Sequence, residues 1–308
     1  MKVVFLGTPD FACEALKAIF NSTHEILAVV TQPDKPVGRK GIITPSDVKV
    51  LANNLGLKTL TYNKISVEGV EDLKSLNPDI MVTCAYGQIL SREVLDIAKH
   101  GIINVHASLL PKYRGASPIQ WAIINGDEKT GVTIMQTEEG VDTGDIIAYK
   151  EVLIGKTQTA GELFEVLSKV GAELIVKTLD DIEKGIATFI KQDGSKASKV
   201  GMIKKQDGLL DFSKPSSSIV NLIRGLNPWP IAFTYYNGKM LKIYSAEISS
   251  GKGNIGEVLF ADDKNGIVIA TGDTAIKINE LQLEGSKKMT AKDFLLGRKI
   301  PVGYKFGE

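Results

Sequence analysis

Asn104 and His106 stand two residues apart in the run Gly101-Ile102-Ile103-Asn104-Val105-His106. A short apolar run of this kind reads as a buried strand, and on a strand side chains two apart leave from the same face. An amide and an imidazole therefore emerge side by side where the strand ends. The amide can donate to a developing oxyanion, and the imidazole can hold a proton or a positive charge near neutral pH. On its own, Asn-x-His fits a satisfied core histidine beside a turn-forming asparagine better than it fits a site. The next residues, Ala107-Ser108-Leu109-Leu110-Pro111-Lys112-Tyr113-Arg114-Gly115, favour chemistry, because Leu109-Leu110-Pro111 sets a stiff apolar wall close to both polar groups.

Several elements have to bring that strand end to a usable edge. Residues 2–6 form an apolar run that ends in Gly7-Thr8-Pro9-Asp10, and a helical pattern follows at Phe11, Ala15, Leu16 and Ile19. Residues 26–30 and 79–84 repeat the strand pattern, with helical periods over 48–55 and 91–99. Strands alternating with helices predict a Rossmann-like, mostly parallel α/β sheet, in which ligands sit at the carboxyl ends of the strands. Gly7-Thr8-Pro9 is not Gly-x-Gly-x-x-Gly, so a dinucleotide site is not indicated. Further along, 117–125 reads as a helix, 131–137 and 146–151 as strands, and 160–183 as a long helix.

The composition shifts at 191–206, which is polar and basic and predicts a flexible linker. Beyond it, a helix over 217–226 is followed by short strands at 233–236, 241–246, 256–260, 266–270 and 275–283, separated by turn residues. That spacing predicts a small OB-like β-barrel. The expected organisation is an N-terminal domain over 1–190, the linker over 191–206, and a C-terminal domain over 207–308.

Among the 308 residues, 43% are apolar and 24% charged, the balance of a soluble globular protein. No apolar run approaches the roughly 20 residues that span a bilayer. Residues 1–6 run straight into Gly7-Thr8-Pro9 without the layout of a signal peptide. Cys13 and Cys84 offer neither metal spacing nor a disulfide framework. The expectation is a cytoplasmic protein with no metal and no membrane contact; no oligomerisation signal stands out, so a monomer is expected. Net charge is +1, but residues 201–308 carry 15 Lys and Arg against 11 Asp and Glu. A split of that size fits either ordinary surface variation or a half that faces a polyanion.

The core sequence Asn104-Val105-His106-Ala107-Ser108-Leu109-Leu110-Pro111 resembles the signature of folate-dependent formyltransferases. The likeness extends through Gly7-Thr8-Pro9-Asp10-Phe11-Ala12, Thr31-Gln32-Pro33-Asp34-Lys35-Pro36-Val37-Gly38-Arg39, Asp142-Thr143-Gly144-Asp145, Asn227-Pro228-Trp229-Pro230 and Gly285-Ser286-Lys287-Lys288-Met289. The basic loop over 31–46 and the Lys-Lys-Met segment are similar to those members of the family that act on charged tRNA.

The resemblance implies formyl transfer from 10-formyltetrahydrofolate to the free amino group of initiator methionyl-tRNA. It implies Asn104, His106 and Asp142 as the catalytic set. It assigns Ser108, Leu109, Leu110 and Pro111, together with Tyr86, Gly87, Gln88 and Ile89, to the folate. It points to Arg39, Lys40, Lys204, Lys205, Lys287 and Lys288 for the tRNA. One departure is visible: the family loop continues Arg-Gly-Lys-Lys, whereas here Arg39-Lys40-Gly41-Ile42-Ile43 has lost a basic residue.

Overall fold

The structure is a computed structural model that describes residues 1–38 and 40–307. The chain separates into two compact units. The first comprises Met1–Gly115, Thr130–Leu153 and Phe164–Val200; the second comprises Ala116–Lys129, Ile154–Leu163 and the chain from Gly201. This division differs from boundaries at 190 and 207. The segments 116–129 and 154–163 group with the C-terminal unit because they pack on its helix: Gly161 N donates to the Asn227 carbonyl, and the Arg224 guanidinium donates to the Gly155 and Gln158 carbonyls.

The first unit holds a seven-stranded sheet in the order Ile146–Leu153, Lys129–Gln136, Ile102–His106, Ile80–Cys84, Lys2–Gly7, Glu25–Thr31, Thr59–Thr61. The five strands from Ile102–His106 to Thr59–Thr61 pair in parallel. The mostly parallel sheet expected from the alternating pattern is present. Lys129–Gln136 runs antiparallel to Ile102–His106, placing Thr133 opposite His106. The chain lays strands outward on one side of Lys2–Gly7, then returns to its other side with Ile80–Cys84. The order therefore reverses between Lys2–Gly7 and Ile80–Cys84, and sheets with such a reversal bind ligands outside the carboxyl ends of their strands.

Local sequence explains these elements. Val3 to Leu6 and Ile80 to Cys84 are buried throughout, as strands covered on both faces must be. Asp10 caps the helix Phe11–Phe20 by accepting from Phe11 N, and residues 11, 12, 15, 16 and 19 face the core. The expected helix over 91–99 is shorter, only Arg92–Leu95. The loop expected over 31–46 contains a small hairpin, Lys35–Val37 against Ile42–Thr44, that exposes Val37, Ile42 and Ile43.

The basic stretch over 191–206 is not a free linker. Lys199–Val200 pairs in parallel with Arg114–Gly115, and Ser198 exchanges backbone and side-chain hydrogen bonds with Pro111, Tyr113 and Arg114. Polar composition signals exposure, but these residues are used as hydrogen-bonding partners.

In the second unit, Ala232–Tyr236, Lys239–Ser249, Ala275–Leu283, Gly266–Ala270 and Val258–Asp262 form an antiparallel sheet, and Met289–Thr290 adds to Ala275–Leu283. This is the antiparallel C-terminal domain that the strand spacing indicated. Ile219 and Ile223 from the helix Ser216–Gly225 pack with Leu241, Ile243, Ile276, Ile278 and Phe294 in one core.

Candidate active site

The strand Ile102–His106 carries Asn104 and His106 on one face, towards its carboxyl end. Neither is free to rotate. Thr83 stands opposite Asn104 in the parallel ladder and donates its hydroxyl to Asn104 Oδ1 at 2.9 Å. The same hydroxyl also lies 3.3 Å from the Ile103 carbonyl, and the shorter contact is the one to the amide oxygen. The Asn104 NH2 is then turned away from Thr83 as a donor.

His106 is 7% exposed. Its Nε2 lies 2.9 Å from the Tyr113 carbonyl oxygen, which can only accept, so Nε2 carries the hydrogen. Nδ1 is therefore the ring atom left for chemistry, and it lies 3.6 Å from Asp142 Oδ2. That separation suits an ion pair once the ring is protonated and is too long for a strong hydrogen bond.

Asp142 adopts a left-handed backbone, φ +52°. Its Oδ2 accepts from Gly115 N at 2.7 Å. Gly115 has to be glycine at φ +105°, and a Cβ there would strike the Val200 carbonyl of the paired strand. This close approach is what lets the Gly115 N–H reach the carboxylate.

The loop after His106 is folded by its own polar groups. Ser108 is fully buried; its hydroxyl donates to the Lys112 carbonyl at 2.7 Å, and its carbonyl accepts from Thr133 Oγ1 at 2.7 Å. Leu110 N donates to the same threonine oxygen. The Ser108 side chain thus shapes the loop, and Leu110 sits largely buried beside it.

Among the other residues assigned to folate, Tyr86 is buried, and its hydroxyl has no hydrogen-bond partner among the described residues. Burial pushes that phenol up to about 12. Gln88 spans Ile65 N and the Tyr62 carbonyl, Gly87 takes φ +86°, and Ile89 is 85% exposed.

The basic residues fare differently. Arg39 lies outside the described residues. Lys40, Lys204, Lys205 and Lys287 are exposed. Lys288 is engaged, 2.8 Å from Glu280 and over the Tyr244 ring.

Sequence reasoning missed Thr83, Thr133 and Gln192. Gln192 Nε2 donates to the carbonyls of Asp142 (2.9 Å) and Gly144 (2.7 Å), while Oε1 accepts from Arg114 Nε (3.1 Å) and Nη2 (2.8 Å). A glutamine in a polar stretch gives no signal of this. Thr83 is findable only by knowing the register.

The fold thus brings together, at the end of one strand, an amide, an imidazole with one available nitrogen and a facing carboxylate. Residues 1–179 match the family described as formyl transferase, and 202–299 match the formyl transferase C-terminal domain. The chain belongs to the methionyl-tRNA formyltransferase family. It is 47% identical to the methionyl-tRNA formyltransferase of Lachnospira eligens, with both chains covered in full, and 49% identical to that of Halothermothrix orenii, again over both full lengths.

Solved structures share the fold. The Clostridium thermocellum methionyl-tRNA formyltransferase aligns with a TM-score of 0.56 at 19% identity, over 82% of this chain and 95% of that one. The Helicobacter canadensis N-formyltransferase, solved with folinic acid and dTDP-3-aminofucose, aligns with a TM-score of 0.68 at 22% identity, over 94% and 100%. Among the described residues no helix is long and apolar enough to cross a membrane.

Proposed function

We propose that this chain transfers the formyl group of 10-formyltetrahydrofolate to the amino group of methionine esterified to initiator tRNA, at Asn104, His106 and Asp142. The attacking amine must be neutral. A free α-amino group titrates near 7.7–8.0, and an adjacent ester lowers that, so no strong base is needed to begin. A carbon–nitrogen bond forms as the amine attacks the formyl carbon. The electron pair of the formyl C=O moves to oxygen, then returns as the bond to the folate nitrogen breaks, and that nitrogen takes up a proton to balance the one the attacking amine gives up.

Asn104 Nδ2 and His106 Nδ1, when protonated, are the donors for that oxygen. A donor held in place before charge develops needs no reorganisation when it does. Asp142 favours the imidazolium by its charge and is an acceptor for the proton that leaves the ammonium. The observation that carries this reading is the ring itself. Its Nε2 is committed to the Tyr113 carbonyl, and its Nδ1 faces a carboxylate.

Leu109, Leu110 and Pro111 supply an apolar wall suited to a flat ring system. Tyr86, Gly87, Gln88 and Ile89 follow the neighbouring strand end and belong to the same proposed folate region. Arg39, Lys40, Lys204, Lys205 and Lys287 are offered as phosphate contacts, which position a polyanion and weaken with salt. Lys288 joins them only by giving up Glu280. The second unit is proposed as the tRNA-binding domain, in a monomer working in the cytoplasm.

Incorporation of labelled formyl from 10-formyltetrahydrofolate tests the proposal. Charged initiator tRNA should be labelled, and His106→Ala should label it about 10²–10³-fold more slowly while still retaining tRNA. Labelling of an amino-sugar nucleotide in its place would overturn the acceptor assignment.

A further inference from the structure

We propose that Gln192 is a positioning residue for formyl transfer, holding Asp142 on His106; this rests on the catalytic reading above. Gln192 uses all four bonding positions of its amide. Both N–H groups go to the Asp142 and Gly144 carbonyls, and both lone pairs of Oε1 receive Arg114 Nε and Nη2. The orientation follows from the partners, since a reversed amide would set NH2 against a guanidinium and an oxygen against two carbonyls.

The two carbonyls belong to the Asp142–Thr143 and Gly144–Asp145 peptides, so the amide bridges the turn that begins at Asp142. Holding the first plane restrains the C-terminal side of the Asp142 backbone, from which the carboxylate projects, and holding the second restrains the turn that follows it. The Asp142 backbone is left-handed, a conformation that a non-glycine residue keeps only when its surroundings enforce it. The carboxylate is held at its own tip by Gly115 N, next in chain to Arg114. Gln192 therefore ties together the loop carrying the carboxylate and the loop that follows His106, with the Arg114 guanidinium supporting the amide from behind.

A shorter side chain cannot span these partners, and a carboxylate cannot donate to carbonyls. Gln192→Glu keeps the acceptor for Arg114 but loses both donors to the 142–144 loop and adds a charge, whereas Gln192→Ala loses the donors without adding one, so an effect common to both reports the positioning contact.

The experiment measures kcat, KM for tRNA and for folate, the pH–rate profile and Tm for Gln192→Glu and Gln192→Ala. A carboxylate displaced by a fraction of an ångström should lower kcat between about 10-fold and 10²-fold. KM for folate should stay unchanged, and the limb of the pH profile assigned to the His106–Asp142 pair should move. In an Asp142→Ala background the same Gln192 changes should cost no further activity, because the residue acts through Asp142.

Wild-type kcat in Gln192→Glu would overturn the proposal. So would a loss that persists unreduced in the Asp142→Ala background, or a fall in kcat with lowered Tm and an unmoved pH profile. If the wild-type enzyme itself transfers no formyl to charged tRNA, the functional reading fails first.

Discussion

Thr83 gives its hydroxyl hydrogen to Asn104 Oδ1 across two parallel strands that put the residues in register. The amide proposed as an oxyanion donor is thus aimed by a neighbour more than twenty positions earlier in the chain. Thr83→Val should release that constraint, lowering kcat without changing folate KM. Thr83→Ser, which keeps the hydroxyl, should restore most of it. Equal rates for valine and threonine would show that Asn104 is oriented otherwise.

Removing a donor outright should cost more. Asn104→Ala and His106→Ala are each expected to lose about 10²–10³ in kcat, the usual cost of one oxyanion donor. The double variant should lose less than the product of the two, since groups acting as a unit are not additive. Steady-state formylation rates of the three variants decide this.

Both thiols should be sluggish. Burial, helped by the Asp47 carboxylate, pushes Cys13 up to about 11, and burial raises the fully enclosed Cys84 further. A raised thiol stays protonated at pH 8, so the thiolate that reacts is scarce. Alkylation of Cys13 should be slower than that of a free thiol at pH 8 and should accelerate towards pH 11. Cys84 should react only after denaturation. Rapid labelling of either residue at pH 7 in the folded protein would contradict this.

In the C-terminal unit, Phe294 is 1% exposed in the core below the sheet. Phe294→Ala should destabilise the unit by about 3–5 kcal/mol. Thr290, whose hydroxyl accepts from Asp293 N at the start of the helix Ala291–Gly297, should cost about 1 kcal/mol when changed to Ala. Urea denaturation followed by circular dichroism separates the two effects in size.

Lys287 and Lys288 are adjacent but should not be equivalent. Lys288 already spends its charge on Glu280, so Lys288→Ala should change tRNA affinity less than Lys287→Ala. Each true phosphate contact removed should lower the slope of log affinity against log salt by about 1. Filter binding at several salt concentrations measures both slopes.

Much of the arrangement is legible in the chain. The period-2 spacing puts Asn104 and His106 on one face, because strand geometry leaves no alternative. The alternation of apolar runs and helical periods specifies the parallel sheet, and the run of short strands specifies a second, antiparallel unit. The likeness of 104–111 and 142–145 to a known signature supplies the chemistry. Local patterns can carry this much because each depends only on neighbours in sequence.

The remainder is settled by contacts between distant residues. The available nitrogen of His106 is chosen by the Tyr113 carbonyl, the Asn104 amide is turned by Thr83, and the Asp142 backbone is held by Gln192. The polar stretch 191–206 reads as linker because its composition suits solvent; folding spends its hydrogen-bonding groups on the loops around the site instead. The type of each proposed catalytic group is written in the chain, but its orientation depends on register and on partners from remote segments, which no window of sequence contains.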